Sequence, residues 1–225
     1  MKKSVSSFLV ISGLLIATAG CGKDSDDPAK VTDIEGNSYK TVTIGEQVWM
    51  TENLKTTKYN DGSDIPVITD SSTWKNMTSD GLCWYNNESP AYDDPYGVLY
   101  NGWSVTTGKL CPSGWHVPTL DELTDLAMYS GDTLTSGGNL KIHTSGHWSE
   151  PNTGADNRSG FSALGAGIRY FEGSFSSFSY FTCFWSSSEF VSDNLWFLSL
   201  YYDDAHARLN HRNKNYGFSV RCIKD

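Results

Sequence analysis

The side chains able to do chemistry in this chain gather toward its C-terminal end. Ser186, Ser187 and Ser188 supply hydroxyls, His206 and His211 imidazoles, and Asp203 a carboxylate. These are the parts of a nucleophile, a base and an orienting acid. No nucleophile-elbow spacing surrounds the serines, so the stretch reads as a serine-rich strand end rather than a hydrolase site. Asp93-Asp94 and Asp203-Asp204 are paired acids, but such pairs in polar surroundings are turn residues before they are acid–base catalysts. Glu150-Pro151-Asn152 offers oxygen ligands of the kind calcium accepts. A single tripeptide is a thin basis for a site, and it is expected not to hold calcium. No catalytic residue, metal or cofactor is assigned.

The same region offers more for binding. Between Trp185-Ser186-Ser187-Ser188-Glu189 and Gly217-Phe218-Ser219-Val220-Arg221-Cys222 the residues alternate. Trp196, Leu198 and Leu200, then Ala205, Ala207 and Leu209, fall on one face. Phe197, Ser199, Tyr201, Asp204, His206, Arg208 and Asn210 fall on the other, the period of a half-buried antiparallel ribbon. The expected outward face is rich in Tyr, Asp, His, Arg and Asn, which give contact area and adaptable hydrogen bonds. The candidate ligand-binding set is Phe190, Ser192, Asp193, Phe197, Ser199, Tyr201, Tyr202, Asp204, His206, Arg208, Asn210, His211, Arg212, Asn213 and Tyr216.

Something must hold that ribbon. The 225 residues are 38% hydrophobic and 13% aromatic, and Gly is frequent. With little long helical periodicity, this describes one loop-rich, mostly β domain whose Trp and Tyr pack between short strands. Val42 and Ile44 alternate ahead of Gly45-Glu46 and Val48-Trp49-Met50, a hairpin turning at Gly45. Tyr59-Asn60-Asp61-Gly62 marks a turn, and the polar stretch from there to Asp80 reads as loop. One helix is clear: Thr119 caps it, Glu122 completes a capping box, and Leu120, Leu123 and Leu126 form its stripe. It should run to about Tyr129 and stop before Gly131, and Gly137-Gly138 opens a shorter one. Residues 143 to 160 read as loop, and Phe161 to Leu164 and Gly167 to Tyr170 as strands.

Residues 1–20 pair a basic start, Lys2 and Lys3, with an apolar run from Phe8 to Ala17 and small residues before Cys21. This is the pattern of a secretion signal, and the residues before Cys21 resemble a bacterial lipobox, with Cys21 as the lipidated residue. Residues 21–30 form an acidic, coreless tether like that of surface-exported Bacteroidetes lipoproteins, so the expected location is the outer membrane, lipid-anchored and facing outward. The formal charge of −9, with no basic patch, argues against nucleic acid as a partner. Four further cysteines, Cys83, Cys111, Cys183 and Cys222, would sit in an oxidising setting, where three pairings are open.

Several blocks together resemble the family named after the major paralogous domain of Fibrobacter succinogenes. They are Gly45 to Leu54 (GEQVWMTENL), Tyr96 to Asn101 (YGVLYN), Leu110 to Pro118 (LCPSGWHVP), Gly160 to Leu164 (GFSAL), Trp185 to Glu189 and Gly217 to Cys222, in the family's order. The resemblance implies an α+β, C-type-lectin-like single domain over residues 31–225, loop-rich, with short antiparallel strands and one or two helices. It also implies that the terminal strands meet, that Cys111 pairs with Cys222, and that a loop-rich face carries the ligand. Cys183 departs from the pattern, standing where another aromatic is expected.

Some members of this family are variable proteins of diversity-generating retroelements, whose C-terminal stretch is rewritten at adenines. Between Phe190 and Tyr216 only Trp196 and Lys214 are unreachable by rewriting asparagine codons. The expected function is therefore ligand binding without catalysis, the ligand being a protein or glycan on another cell, a phage or a host, and the membrane met only through the anchor. The alternatives are a calcium-dependent lectin, because Glu150-Pro151-Asn152 matches the motif of mannose-type C-type lectins, and a structural adhesin. Against the lectin, the motif's usual Trp-Asn-Asp companion is missing, with Asp193-Asn194 the nearest equivalent.

Overall fold

The computed structural model describes Met1 and residues 29–89, 91–129 and 132–225. The expected lipidation at Cys21 and the helix stop at Gly131 lie outside the described residues. The chain runs through β1 (Lys30–Thr32), β2 (Ser38–Ile44), β3 (Gln47–Met50), α1 (Ser71–Asn76), β4 (Leu82–Cys83), β5 (Leu99–Asn101), α2 (Gly102–Val105) and β6 (Trp115–His116). It continues with α3 (Leu120–Met128), α4 (Thr133–Leu140), β7 (Ala166–Arg169), β8 (Phe175–Phe178), β9 (Phe181–Val191), β10 (Asn194–Tyr201), β11 (Arg208–Asn213), β12 (Gly217–Phe218) and β13 (Ile223–Lys224). Among the described residues the protein is mostly β, with a few short helices.

Two sheets carry the strands. The smaller has the order β1-β2-β3-β13-β6, so the last strand lies between two early ones and the domain's ends meet. The larger runs β11-β10-β9-β7-β12-β5-β4, with β8 added beside β7. The β2–β3 hairpin pairs Ile44 with Gln47 around Gly45, whose φ of +62° is one a side chain would strain to adopt. At α3 the capping box forms as the spacing requires: Thr119 accepts from the Glu122 amide, and the Glu122 carboxylate accepts from the Thr119 amide. Leu123, Leu126 and Ala127 are buried along its stripe.

Three expectations fail for local reasons. The stretch read as loop up to Asp80 contains α1, capped by Asp70 and anchored by the buried Trp74, whose indole N–H donates to the Asn215 carbonyl at 2.7 Å. One turn of amphipathic helix with a single apolar residue leaves too little periodicity to read. α4 begins at Thr133, capped by Asp132, so the glycines lie inside it rather than at its start. Phe161 to Leu164 is no strand: Ser162 takes φ +58°, and only Ala163 bridges, to Lys141.

β10 feeds two cores at once. Leu195 and Phe197 join a cluster with Tyr39, Met50, Trp185 and Phe218. Leu198 and Leu200 join another with Trp49, Phe161 and the α3 leucines. The alternation along β10 is thus real, but both of its faces are covered.

The blocks that carried the family resemblance meet in a buried polar network. The fully buried Arg221 donates from Nε to Asn53 Oδ1 at 2.9 Å and from its two terminal nitrogens to the carbonyls of Phe161 and Ser162. Its guanidinium lies 4.3 Å from the Phe161 ring centroid. Asn53 in turn donates to the Tyr96 carbonyl, and the Trp185 indole donates to that of Tyr100. Beside this network Cys111 is joined to Cys222, with Cα atoms 5.9 Å apart and a sequence separation of 111. Cys83 and Cys183 are buried free thiols.

Candidate binding site

The hairpin of β9 and β10 contains a gap in an aromatic surface. Its cross-strand pairs are Phe197 with Trp185, Ser199 with Cys183, and Tyr201 with Phe181. On one face, two ring pairs therefore flank a pair of small side chains. The Phe181 and Tyr201 rings lie 4.4 Å apart, and the Trp185 and Phe197 rings 6.2 Å apart. The depression between them is a hollow of about 190 Å3, floored by Cys183, Ser199, Phe197 and Ile168. Cys183, the residue that departs from the expected pattern, lies on the floor of this hollow.

β11 builds one wall. Its register sets Arg208 opposite Ser199, Asn210 opposite Phe197 and Arg212 opposite Leu195, all on the hollow's side of the sheet. Tyr170 and Tyr216, whose rings lie 5.8 Å apart, close the other side. No carboxylate lines this hollow. It opens on one flank into a depression bounded by Asp203, Asp204 and Arg208, and on the other into one bounded by Asn194, Asn213 and Asn215, with Arg212 and Tyr216 on the shared wall.

The turn from β10 to β11 is held from below. Lys141 Nζ donates to the carbonyls of Thr153, Tyr201 and Asp204 at 3.0, 2.7 and 2.9 Å. A Cβ on Gly137 would come within 2.3 Å of the His206 carbonyl oxygen, so the α4 glycine lets the turn's backbone lie directly on the helix. Within the turn, Asp204 accepts from the Arg208 guanidinium, the His206 ring and the His206 amide. Burial acts to raise the Asp204 carboxyl, but those donors hold it well below the usual carboxylate range.

The structure therefore sorts the candidate residues into groups. Phe197, Ser199 and Tyr201, with Arg208, Asn210 and Arg212, and then Tyr216, converge on the hollow. Phe197 and Ser199 are not outward side chains as expected; at 4% and 3% exposure they form the floor. The covering comes from Phe218 of β12, 4.9 Å from the Phe197 ring, and from the β11 wall, neither visible in the alternation of β10 alone. Tyr202 packs edge-on against Tyr180 at 4.9 Å, toward the α3 core. Asp204 and His206 bind one another and shape the turn.

Phe190 and His211 stack at 3.7 Å beside Trp196, on the other face of the ribbon, which is also why Trp196 is only half-buried. Ser192 and Asp193 form the exposed β9–β10 turn, and Asn213 Oδ1 accepts from the Asn215 amide. Sequence reasoning missed Ile168, Tyr170, Phe181 and Cys183, which come from outside the terminal ribbon, and Phe218, which lies in the block that closes it. The alternation Phe181, Cys183, Trp185 was the available signal for two of them.

The chemistry first weighed in the sequence is otherwise occupied. Ser186 Oγ accepts from the Ser188 amide, Ser187 donates to the Pro118 carbonyl, and Ser188 accepts from the Leu120 amide at the start of α3. Asn152 spends its amide on the Ile142 carbonyl. Among the described residues, no group of three or more His, Cys, Asp or Glu is gathered as metal ligands would be. A further groove of about 430 Å3, lined by Val42, Ile142 and Leu164, shares no lining residue with the hollow.

A disulfide-tied, mostly β scaffold that presents a ring-lined hollow is the class these features define. The chain belongs to the Fibrobacter succinogenes major domain family, whose signature matches residues 42–224. Comparison with curated proteins and with solved structures finds no match.

Proposed function

We propose that this protein is a lipid-anchored binding protein of the outer membrane, facing outward, with no catalytic activity of its own. Its domain is C-type-lectin-like, and the hollow on β9, β10 and β11, with the rim around it, recognises a protein or glycan on another cell, a phage or a host. One observation carries this reading: the Cys183–Ser199 gap is ringed by Tyr, Arg and Asn side chains while the structure beneath is locked by Arg221 and Lys141. That is a variable-looking surface on a rigid support, the arrangement a paratope uses. The two residues in the ribbon that adenine rewriting cannot reach fit the same reading. Lys214 is buried against Glu189 and Trp103, and Trp196 packs edge-on against the Phe190–His211 stack, so both belong to the support.

Binding to arrays of surface glycans and surface proteins, with the full chain as probe, tests the face. Asn210→Trp and Tyr201→Ala alter the exposed rim and should abolish capture of any ligand found, with little change in melting temperature. Capture that survives both would overturn the reading. Cys21→Ala should release the protein from the membrane fraction, and retention would count against the anchor.

A calcium-dependent lectin is the second reading, and one observation favours it: Asn152 Oδ1 is buried without a hydrogen-bond partner. The first reading expects a chelator to leave the melting temperature unchanged. A chelator-sensitive melt that is lost in Asn152→Ala would reverse the order of the two.

A further inference from the structure

We infer that the hollow recognises a carboxylate carried on a small ring, with Arg212 as its charged partner. The inference rests on the binding face proposed above and names the ligand chemistry of that site.

The argument starts from the arginines. Arg158 and Arg208 sit on Asp156 and Asp204, while Arg169 and Arg221 are buried on backbone carbonyls. Arg212 is exposed, donates to the carbonyl of its neighbour His211 and bonds the Tyr216 hydroxyl, lies 6.0 Å from the Phe197 ring centroid, and has no carboxylate partner among the described residues. A guanidinium carries five donors in a planar fork, and in Arg212 most of them are free for an incoming acceptor. Its charge reaches into the hollow: it favours ionisation of Cys183, Tyr201 and Tyr216, against the burial that raises all three.

The remaining lining fixes the body that the carboxylate rides on. Phe181, Phe197, Tyr201 and Tyr216 are among the residues that form the hollow's floor and walls. Apolar cavities of about 150 Å3 accept a benzene-sized body, so a hollow of about 190 Å3 takes one ring with a carboxylate at its mouth. Asn210, on the wall between Arg208 and Arg212, adds a neutral donor and acceptor for a ring hydroxyl. The overall charge of −9 repels anions at long range, so selection falls to this local fork rather than to steering.

Such a carboxylate could belong to an acidic sugar or to an aryl acid, and the test separates them. Titration calorimetry of the full chain would use N-acetylneuraminate and 4-hydroxybenzoate, each beside its uncharged methyl ester. At least one acid should bind, with its ester weaker by about tenfold or more, the loss expected when a charge-assisted fork is removed. Arg212→Gln should weaken the acid to the level of the ester and leave the ester unchanged. Arg212→Lys should fall between, and Arg158→Gln should change nothing. Binding of the sugar acid alone assigns the sugar source, and of the benzoate alone the aryl source.

Esters that bind as well as their acids, an acid indifferent to Arg212→Gln, or failure of both acids to bind would each overturn the inference. Those results leave the wider binding face standing, because array capture lost in Asn210→Trp and Tyr201→Ala is read separately. If array capture instead survives those rim variants while the acid titrates normally, the face reading fails and the carboxylate site remains.

Discussion

Lys141 shows how one residue can support a surface it does not join. It is fully buried and lies 5.5 Å from the Trp148 ring, and burial pushes its ammonium down to about 8, with Asp204 and Asp203 pulling the other way. Replacing it with methionine leaves the carbonyls of Thr153, Tyr201 and Asp204 without their donor. Loss of about 2–4 kcal/mol in urea unfolding is expected, with faster amide exchange across residues 201–204. The pH dependence has a definite sign. Between about pH 8 and the ordinary lysine value near 10.4, the unfolded chain holds a proton that the folded one has released, so wild-type stability rises with pH across that window. Lys141→Met lacks this gain, so its deficit relative to wild type should widen from pH 8 to 10; a constant deficit would refute the assignment. Lys141 itself lay outside the candidate set, since a lone lysine after two glycines gives no sign that its partners are carbonyls 12 and 60 residues away.

At the scale of elements, local signals were legible and lateral ones were not. Thr119 and Glu122 announce α3, Gly45 announces the β2–β3 turn, and each is a contact within a few residues. The hollow needs Ser199 to meet Cys183 across one strand pair and Arg208 across the next, and that register is set by packing between segments far apart in sequence. Hence the period of β10 was readable but its covered floor was not.

α3 also supplies a test. His116 lies between Glu122, at 3.0 Å from Nε2, and Asp225, at 2.6 Å from Nδ1. Burial lowers its pKa, but the two carboxylates outweigh this and raise it, while the Thr119 amide and His116 hold Glu122 low against its own burial. The histidine's contribution is therefore complete below its unfolded value near 6.5 and fades as pH rises through the folded value. The Glu122 contribution is present above about 4.5 and fades as pH falls. His116→Gln should be most costly between those limits and approach wild type at alkaline pH, as melts across pH would show. Thr119→Ala should cost about 1 kcal/mol at any neutral pH, since it removes one half of the capping box.

In the molecule as a whole, two devices that keep the proposed binding face in shape can be told apart. The Cys111–Cys222 bridge closes a loop of 111 residues, for which the chain-entropy model gives about 4–5 kcal/mol as an upper figure, acting mainly by restricting the unfolded chain. Arg221 acts in the folded state, because its guanidinium ties Asn53 to the Phe161–Ser162 turn and packs against the Phe161 and Phe184 rings. Tyr216 and Phe218, which reach the hollow, are held as well by ring contacts to Tyr170 and Trp185. Removing the bridge with paired Cys111→Ala and Cys222→Ala should therefore lower stability by several kcal/mol while leaving ligand affinity within about threefold, provided the chain is assayed well below its new melting point. Arg221→Met should also destabilise, by about 3–5 kcal/mol, since it orphans buried carbonyls. It should additionally disturb the packing under β9 and β12, so affinity falls with stability. Equal loss of affinity in both variants would mean that the bridge shapes the folded surface directly, and the division between a staple on the unfolded chain and a brace in the folded one would not hold.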